Sequence, residues 1–555
     1  MPKGKITRAQ KTFEGALGRY PHFRAYVDRF RANYREPKYY IDFDFFKYYK
    51  EEFMKEIERE GANLIYPVDD QLFIHVFNRP GEDYQYIVIE PEMDARTEEL
   101  YKRVLDRMIE IAQREPTPDH TTQIQPILQR LLDEIVEVQK STNPLAHVFS
   151  NKIQVTKPQY ESIVYHLMRE RIGFSKLEPL FRDPYLEDIH CTGVGNMKAV
   201  HKIFGMMRLS LKFETDQELN KYILDASERV ERPVSDSRPV VDAVMPDGSR
   251  VNYIYSRDIS REGSSFTIRK FSDVPVSIVD IIFYNTMTAE MGAYLWLALE
   301  NGMNVFVCGE TASGKTTSLN AISAFIRPDA KIYTVENTAE VTMPHDIWQH
   351  LVTREAGKDS DVTLFTLLIA ALRSRPNYII VGEIRGEEGN IAFQAMQTGH
   401  PVMSTFHAGS VHSMIQRLTG HPINVPIAFI DNLNIVLIQQ AVTVNGRMAR
   451  RVTSVSEIER YYDVENKVIT RTVFVWDPQK DQHRFTGYFN SYILEKKIAA
   501  SLGYADPKAI YDELETRRKI LQKLLDSKTM DYFKVFELIK VFCNGGVEAL
   551  PFSIE

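Results

Sequence analysis

Cysteine is scarce in this chain. Three occur in 555 residues, Cys191, Cys308 and Cys543, far apart and without a C-x-x-C pair. That excludes a disulfide scaffold and argues against a cysteine zinc ribbon. No run approaches the roughly 18 uninterrupted apolar residues of a membrane-spanning helix. The first thirty residues are basic and polar, so no secretory leader is expected. Internal repeats and low-complexity tracts are missing as well. These absences predict a soluble protein of a reducing compartment, the cytoplasm.

What is present is ordinary globular composition, 44% hydrophobic and 26% charged, in a chain too long for one core. The net charge of −7 argues against nucleic acid as the main partner. The charge is uneven. Residues 1–50 hold twelve Lys or Arg against five Asp or Glu, interleaved with Phe23, Tyr26, Phe30, Tyr34, Tyr39 and Tyr40. Two readings stay open: an arm whose rings pack on the next domain, or a docking surface for an acidic partner or an anionic membrane.

Along the chain, residues 71–77 and 84–89 read as strands around Pro80-Gly81. Helical spacing runs from Thr97 to Gln113 and again through Ile127 to Val136. Thr156-Lys-Pro-Gln159 is a capping-box spacing with Pro in the first turn. Val240 to Met245 and Arg250 to Tyr255 flank Pro246-Asp-Gly-Ser249 and predict a hairpin. The pattern loosens near residue 273, where the main boundary is expected. Beyond it, short buried strands at 304–308, 331–335, 378–381 and 402–405 alternate with helices, which predicts a parallel α/β sheet. A terminal helix is expected from Asp506-Pro507 to about Leu525.

The strongest motif is Gly309, Glu310, Thr311, Ala312, Ser313, Gly314, Lys315 and Thr316, a full G-x-x-x-x-G-K-[ST] between a strand and a helix that opens with Thr317. Glycines let the backbone curl so that its N–H groups meet phosphate oxygens. The following helix offers its positive N-terminus. Lys315 suits the β- and γ-phosphates of ATP, and the Thr316 hydroxyl is a hard ligand suited to Mg²⁺. Downstream, the apolar strand Tyr378 to Gly382 ends in Glu383, where a P-loop fold delivers an acid to the Mg²⁺ shell. Glu336 and Glu340 follow a strand expected to lie beside the P-loop strand, and either could deprotonate the attacking water. His400 and His407 bracket the strand 402–405. No third ligand accompanies them, so metal binding by the pair is disfavoured.

These four boxes, in this order, resemble the secretion ATPase superfamily of type II secretion, type IV pilus, conjugation and archaellum motors. Ser175-Lys-Leu-Glu-Pro-Leu-Phe-Arg-Asp-Pro-Tyr-Leu-Glu-Asp-Ile, Arg238-Pro-Val-Val-Asp-Ala, Pro246-Asp-Gly-Ser-Arg250 and Phe393-Gln-Ala-Met-Gln-Thr-Gly-His look like the archaeal branch, most of all archaellum motor ATPases. The resemblance covers roughly residues 160–545. Bacterial relatives often carry a tetracysteine zinc module after the His box, which three scattered cysteines cannot build.

The resemblance implies a RecA-like P-loop motor domain behind a separate α+β N-terminal region. It implies Glu340 as general base with Glu336 in support, and Glu383 near Mg²⁺. His400 and His407 would link the γ-phosphate site to a subunit interface. Arg250 and Arg269 resemble arginines presented to nucleotide in trans. The division expected is 1–95, 96–273 and 274–555. The function expected is a hexameric ATPase, peripheral at the cytoplasmic face of the membrane. It would power an archaellum, or an archaeal pilus or type II secretion system, through a polytopic platform protein and accessory motor proteins. A DNA translocase and an ATP-switched scaffold without turnover are the readings of other classes.

Overall fold

Short apolar runs bounded by turn residues become strands along the whole chain. The computed structural model describes residues 7–41, 51–113, 124–139, 152–271, 274–354, 361–444 and 447–554. The chain divides into Met1–Ser272 and Asp273–Glu555. The linker expected near residue 273 lies outside the described residues.

The first unit holds β1 (Lys38–Tyr39), β2 (Asn63–Asp69), β3 (Leu72–Phe77), β4 (Gln85–Ile89), β5 (Val136–Val138), β6 (Ile153–Val155), β7 (Leu186–Cys191), β8 (Met197–His201), β9 (Gly205–Leu209), β10 (Val240–Val244), β11 (Arg250–Ile254) and β12 (Ser265–Arg269). Ten of these form one sheet in the order β1-β2-β3-β4-β9-β8-β7-β12-β11-β10. The sheet crosses the 95/96 division expected from sequence, because β4 pairs with β9 through Gln85↔Arg208. The predicted hairpin is β10–β11, closed at Val244↔Arg250. Thr156 and Gln159 form the capping box of the helix Lys157–Arg171.

The described part of the leader is ordered by its aromatic residues. Phe23 stacks on Phe73 at 4.2 Å. Tyr20 donates to Asp70 at 2.6 Å, and the Tyr26 hydroxyl lies 2.7 Å from His75 Nδ1. Phe23 and Phe73 are fully buried with Ile65 and Val27. A buried side chain of this size contributes roughly 1.5–3 kcal/mol, so deleting the leader would strip one face of the sheet.

The second unit holds β13 (Val305–Gly309), β14 (Ile332–Glu336), β15 (Trp348–Val352), β16 (Tyr378–Glu383), β17 (Val402–Phe406), β18 (Ile435–Val444), β19 (Arg447–Tyr462), β20 (Lys467–Asp477) and β21 (Gln482–Phe485). Their order is β15-β14-β16-β17-β13-β18-β19-β20-β21. The first six are parallel, and β18 to β21 continue as an antiparallel ribbon. Successive side chains point to opposite faces. Val305 and Val307 enter one core with Trp296, Leu319 and Leu521, while Phe306 and Cys308 enter the other with Leu368 and Phe393. Both faces are therefore covered by helices, as a parallel sheet requires. This is the RecA-like α/β domain, which follows an α+β first unit in the sequence.

The expected neighbour of the P-loop strand is corrected by this order. β14 is not beside β13; β16 and β17 stand between them. The helix Lys315–Ser323 carries the chain past two strand positions, and the later strands fill them. Among the described residues no helix is long and apolar enough to cross a membrane. Cys191 and Cys308 are buried and Cys543 half-buried, none in a disulfide.

Candidate active site

The C-terminal ends of parallel strands are where an open α/β sheet gathers its ligands. β13 runs into the loop Gly309–Gly314 and then the helix Lys315–Ser323. A Cβ on Gly309 would stand 2.2 Å from the Gln439 carbonyl oxygen, so only glycine fits there. Gly314 has φ +89°, a left-handed turn that opens the helix, and Ala312 also takes positive φ, 61°. Such turns aim consecutive N–H groups to one side, the geometry of an anion nest.

Lys315 is only 8% exposed. Its Nζ donates to Glu310 O at 2.9 Å and lies 3.4 Å from His407 Nδ1. Ser313 Oγ donates to the same carbonyl at 2.8 Å. An ammonium only donates, so His407 Nδ1 is the acceptor and Nε2 carries the proton. Nε2 stands 3.0 Å from Glu383 Oε1, without the alignment of a hydrogen bond. Burial first, then the Lys315 charge, pushes the His407 pKa below its ordinary value. Arg385 donates to Glu383 Oε2 at 2.6 Å. Lys315, His407 and Glu383 thus meet because β17 is inserted between β13 and β16.

Glu336 is 2% exposed at the end of β14. Its Oε1 accepts from the Glu340 and Val341 N–H groups, both at 3.0 Å, and Oε2 pairs with His350 Nε2 at 2.8 Å. Glu336 therefore shapes the loop that carries Glu340. That loop is tied to the P-loop helix, because Asn320 Nδ2 donates to Glu340 O at 2.9 Å. So the acids reach the P-loop side through a loop, although their strand lies apart from β13. Glu340 itself is half-buried, as is Thr316, while Thr311 and Thr317 are exposed.

Three expected participants are carried by other elements. His400 precedes β17, with Nδ1 3.1 Å from Thr398 Oγ1, at the end of the strand opposite His407. A five-residue strand separates them by about 17 Å, so within one chain the two histidines do not share a site. Arg250 and Arg269 belong to the first unit, where they are direct cross-strand partners on β11 and β12. Sequence reasoning missed His350, Gln439, Arg450 and Arg417; the last donates to the His407 carbonyl and covers the Phe406 ring at 5.3 Å.

The chain is similar to several known proteins. The family described as type II/IV secretion system protein matches residues 173–479. An uncharacterized protein of Methanocaldococcus jannaschii is 50% identical over 559 residues, 99% of this chain and 100% of its own length. The similarity therefore includes the leader, beyond the 160–545 span the motifs suggested. The type IV secretion system protein PtlH of Bordetella pertussis is 32% identical over 213 residues, 34% of this chain and 63% of its own. Among solved structures, the VirB11 ATPase of the Brucella suis type IV secretion system aligns at 22% identity over 51% of this chain and 95% of that one, with a TM-score of 0.26.

Proposed function

This chain belongs to the type II/IV secretion system protein family and is an ATPase, and from that premise we propose that it is the ring-forming motor of an archaellum or a related pilus-like filament. The observation that carries the reading is the convergence of Lys315, His407 and Glu383 at one end of a parallel sheet, beside the loop of Glu340. The motifs around 175–189, 238–250 and 393–400 look like the archaeal branch as a whole, with archaellum motors the nearest likeness and archaeal type II secretion or pilus duty the alternatives.

In this reading the loop Gly309–Thr316 cradles the phosphates of ATP. Lys315 leaves the Glu310 carbonyl for the β- and γ-phosphates. Mg²⁺ would offset charge on the phosphate oxygens, with Thr316 as ligand and Glu383 reaching it through water. Among the described residues no group of three or more His, Cys, Asp or Glu side chains could hold a metal ion alone. A hard cation entering with nucleotide phosphates suits that donor set. Glu340 accepts the proton of the attacking water, and Glu336 holds its loop. Arg250 and Arg269 serve the site of a neighbouring subunit, and His400 faces that interface. Force passes to a polytopic platform protein and accessory motor proteins.

A trans arginine makes each site complete only between subunits. Arg250→Ala and Lys315→Ala subunits, each inactive alone, should regain part of the turnover when mixed, because some interfaces then have both parts. Phosphate release from mixed rings, verified by tagged pull-down, is the measurement. No rescue in verified mixed rings would count against the trans role. Single- and double-stranded DNA added to the wild-type assay should leave the rate unchanged; stimulation would favour a translocase.

The leader contributes surface charge as well as packing. Arg8, Lys11 and Arg29 are exposed. Replacing all three by Gln spares the buried rings, which deletion would not. Each cation near an anionic surface contributes about 1 kcal/mol, and incomplete approach reduces the sum. Sedimentation with acidic vesicles at low salt should weaken roughly tenfold. Equal binding to neutral and acidic vesicles would assign recruitment to the platform protein alone.

A further inference from the structure

A nest that turns its N–H groups toward an anion must turn carbonyl oxygens the other way, and each of those needs a donor. Within the loop, the Glu310 carbonyl has Ser313 Oγ and Lys315 Nζ. The next two outward carbonyls are served from elsewhere. Ser313 O accepts from Gln439 Nε2 at 2.8 Å, and Ala312 O accepts from Arg450 Nε at 3.2 Å. Gln439 is on β18 and Arg450 on β19, the two strands of one antiparallel hairpin. Gln439 is 1% exposed, and its Oε1 has no partner among the described residues. A buried amide with one end unsatisfied is costly, and the end that is satisfied is the one that meets the loop at Ser313 O. The contacts are close: a Cβ on Gly314 would stand 2.9 Å from Gln439 Nε2 and 3.0 Å from Arg450 Cδ.

We propose that Gln439 and Arg450 are positioning residues of the phosphate-binding loop, holding the Ser313 and Ala312 carbonyls outward so that the loop is preformed for phosphate. The inference rests on the reading of this loop as the nucleotide site. It adds that the β18–β19 hairpin, outside all four sequence boxes, sets nucleotide affinity. Neither side chain acts on the reacting atoms; both act through the backbone of residues 312–314. The same hairpin exposes Met448, 80% accessible, two residues from Arg450. A contact there lies close to the loop's support.

The test is nucleotide affinity in the full-length protein, with fluorescent ADP and ATP analogues in Mg²⁺. Gln439→Met keeps length and removes the donor; Arg450→Ala removes the other. Each should weaken both nucleotides about fivefold to tenfold, the scale of one hydrogen bond lost. The thermal midpoint without nucleotide should move little for Arg450→Ala, which is exposed. Arg450→Gln, a neutral donor, should recover part of the affinity, which a merely structural or charge-screening role would not give. If Gln439→Met fails to fold, Arg450→Ala and Arg450→Gln carry the test alone. Wild-type affinity in folded Arg450→Ala, or no recovery with Arg450→Gln, overturns the proposal. Absence of nucleotide binding by the wild-type chain would instead overturn the reading of the loop itself.

Discussion

Lys315→Ala is expected to abolish ATP turnover while leaving the fold intact. The ammonium is buried to 8% exposure against Glu310 O and His407 Nδ1. Its removal leaves the Glu310 carbonyl paired, because Ser313 Oγ still donates to it. The thermal midpoint should therefore change little. What is lost is a charge-assisted contact to phosphate, worth about 1.5–3 kcal/mol in binding alone and more where charge builds up in the transition state. Phosphate release should fall to background. The His407 pKa, held down in part by this ammonium, should move upward, which its imidazole NMR signals across a pH series can follow. Turnover near the wild-type rate would mean that this loop is not the phosphate site.

The second large effect separates the two acids beyond β14. Glu340→Gln should retain ATP binding and lose about 10²–10⁴-fold in kcat, the usual contribution of a general base. Glu336→Gln should do much less. Its remaining carbonyl oxygen can still accept from the Glu340 and Val341 N–H groups. Its new amide can donate to His350 if that ring presents Nε2 as acceptor. A loss of about tenfold, from a slightly looser loop, is the expected size. Single-turnover kinetics with saturating ATP compares the two directly. If Glu336→Gln is the inactive one, the base has been assigned to the wrong residue.

The P-loop and its flanking strand and helix were readable in sequence because the motif is contiguous and each residue type has a local reason. The capping box at Thr156 and the hairpin at Pro246 were readable for the same reason. Sheet order was not. That β16 and β17 lie between β13 and β14 depends on where distant segments settle, and periodicity carries no such information. The ribbon β18–β21 was passed over, although Asn445-Gly446 between Ile435–Val444 and Arg447–Tyr462 is a hairpin signature. Gln439 and Arg450 escaped notice because they meet the loop from 126 and 138 residues away. Glu336 looked like a candidate base because sequence reveals an acid after a strand but not that both of its oxygens are occupied. The leader's two open readings turned on burial, and Phe23 against Phe73 establishes the packing role without removing the exposed cations.

The three thiols have a practical consequence for following conformational change in this ATPase. Cys191 and Cys308 are buried, and burial raises both their pKa values; Cys543 is half-buried with its pKa pushed up to about 12. Alkylating dyes react with thiolate, so at neutral pH all three native groups are poor targets. One cysteine introduced on an exposed strand edge of each unit would therefore take up a donor and an acceptor fluorophore over a nearly silent background. Distances between units could then be timed through the ATP cycle in the otherwise native chain, with no cysteine-free variant to build first.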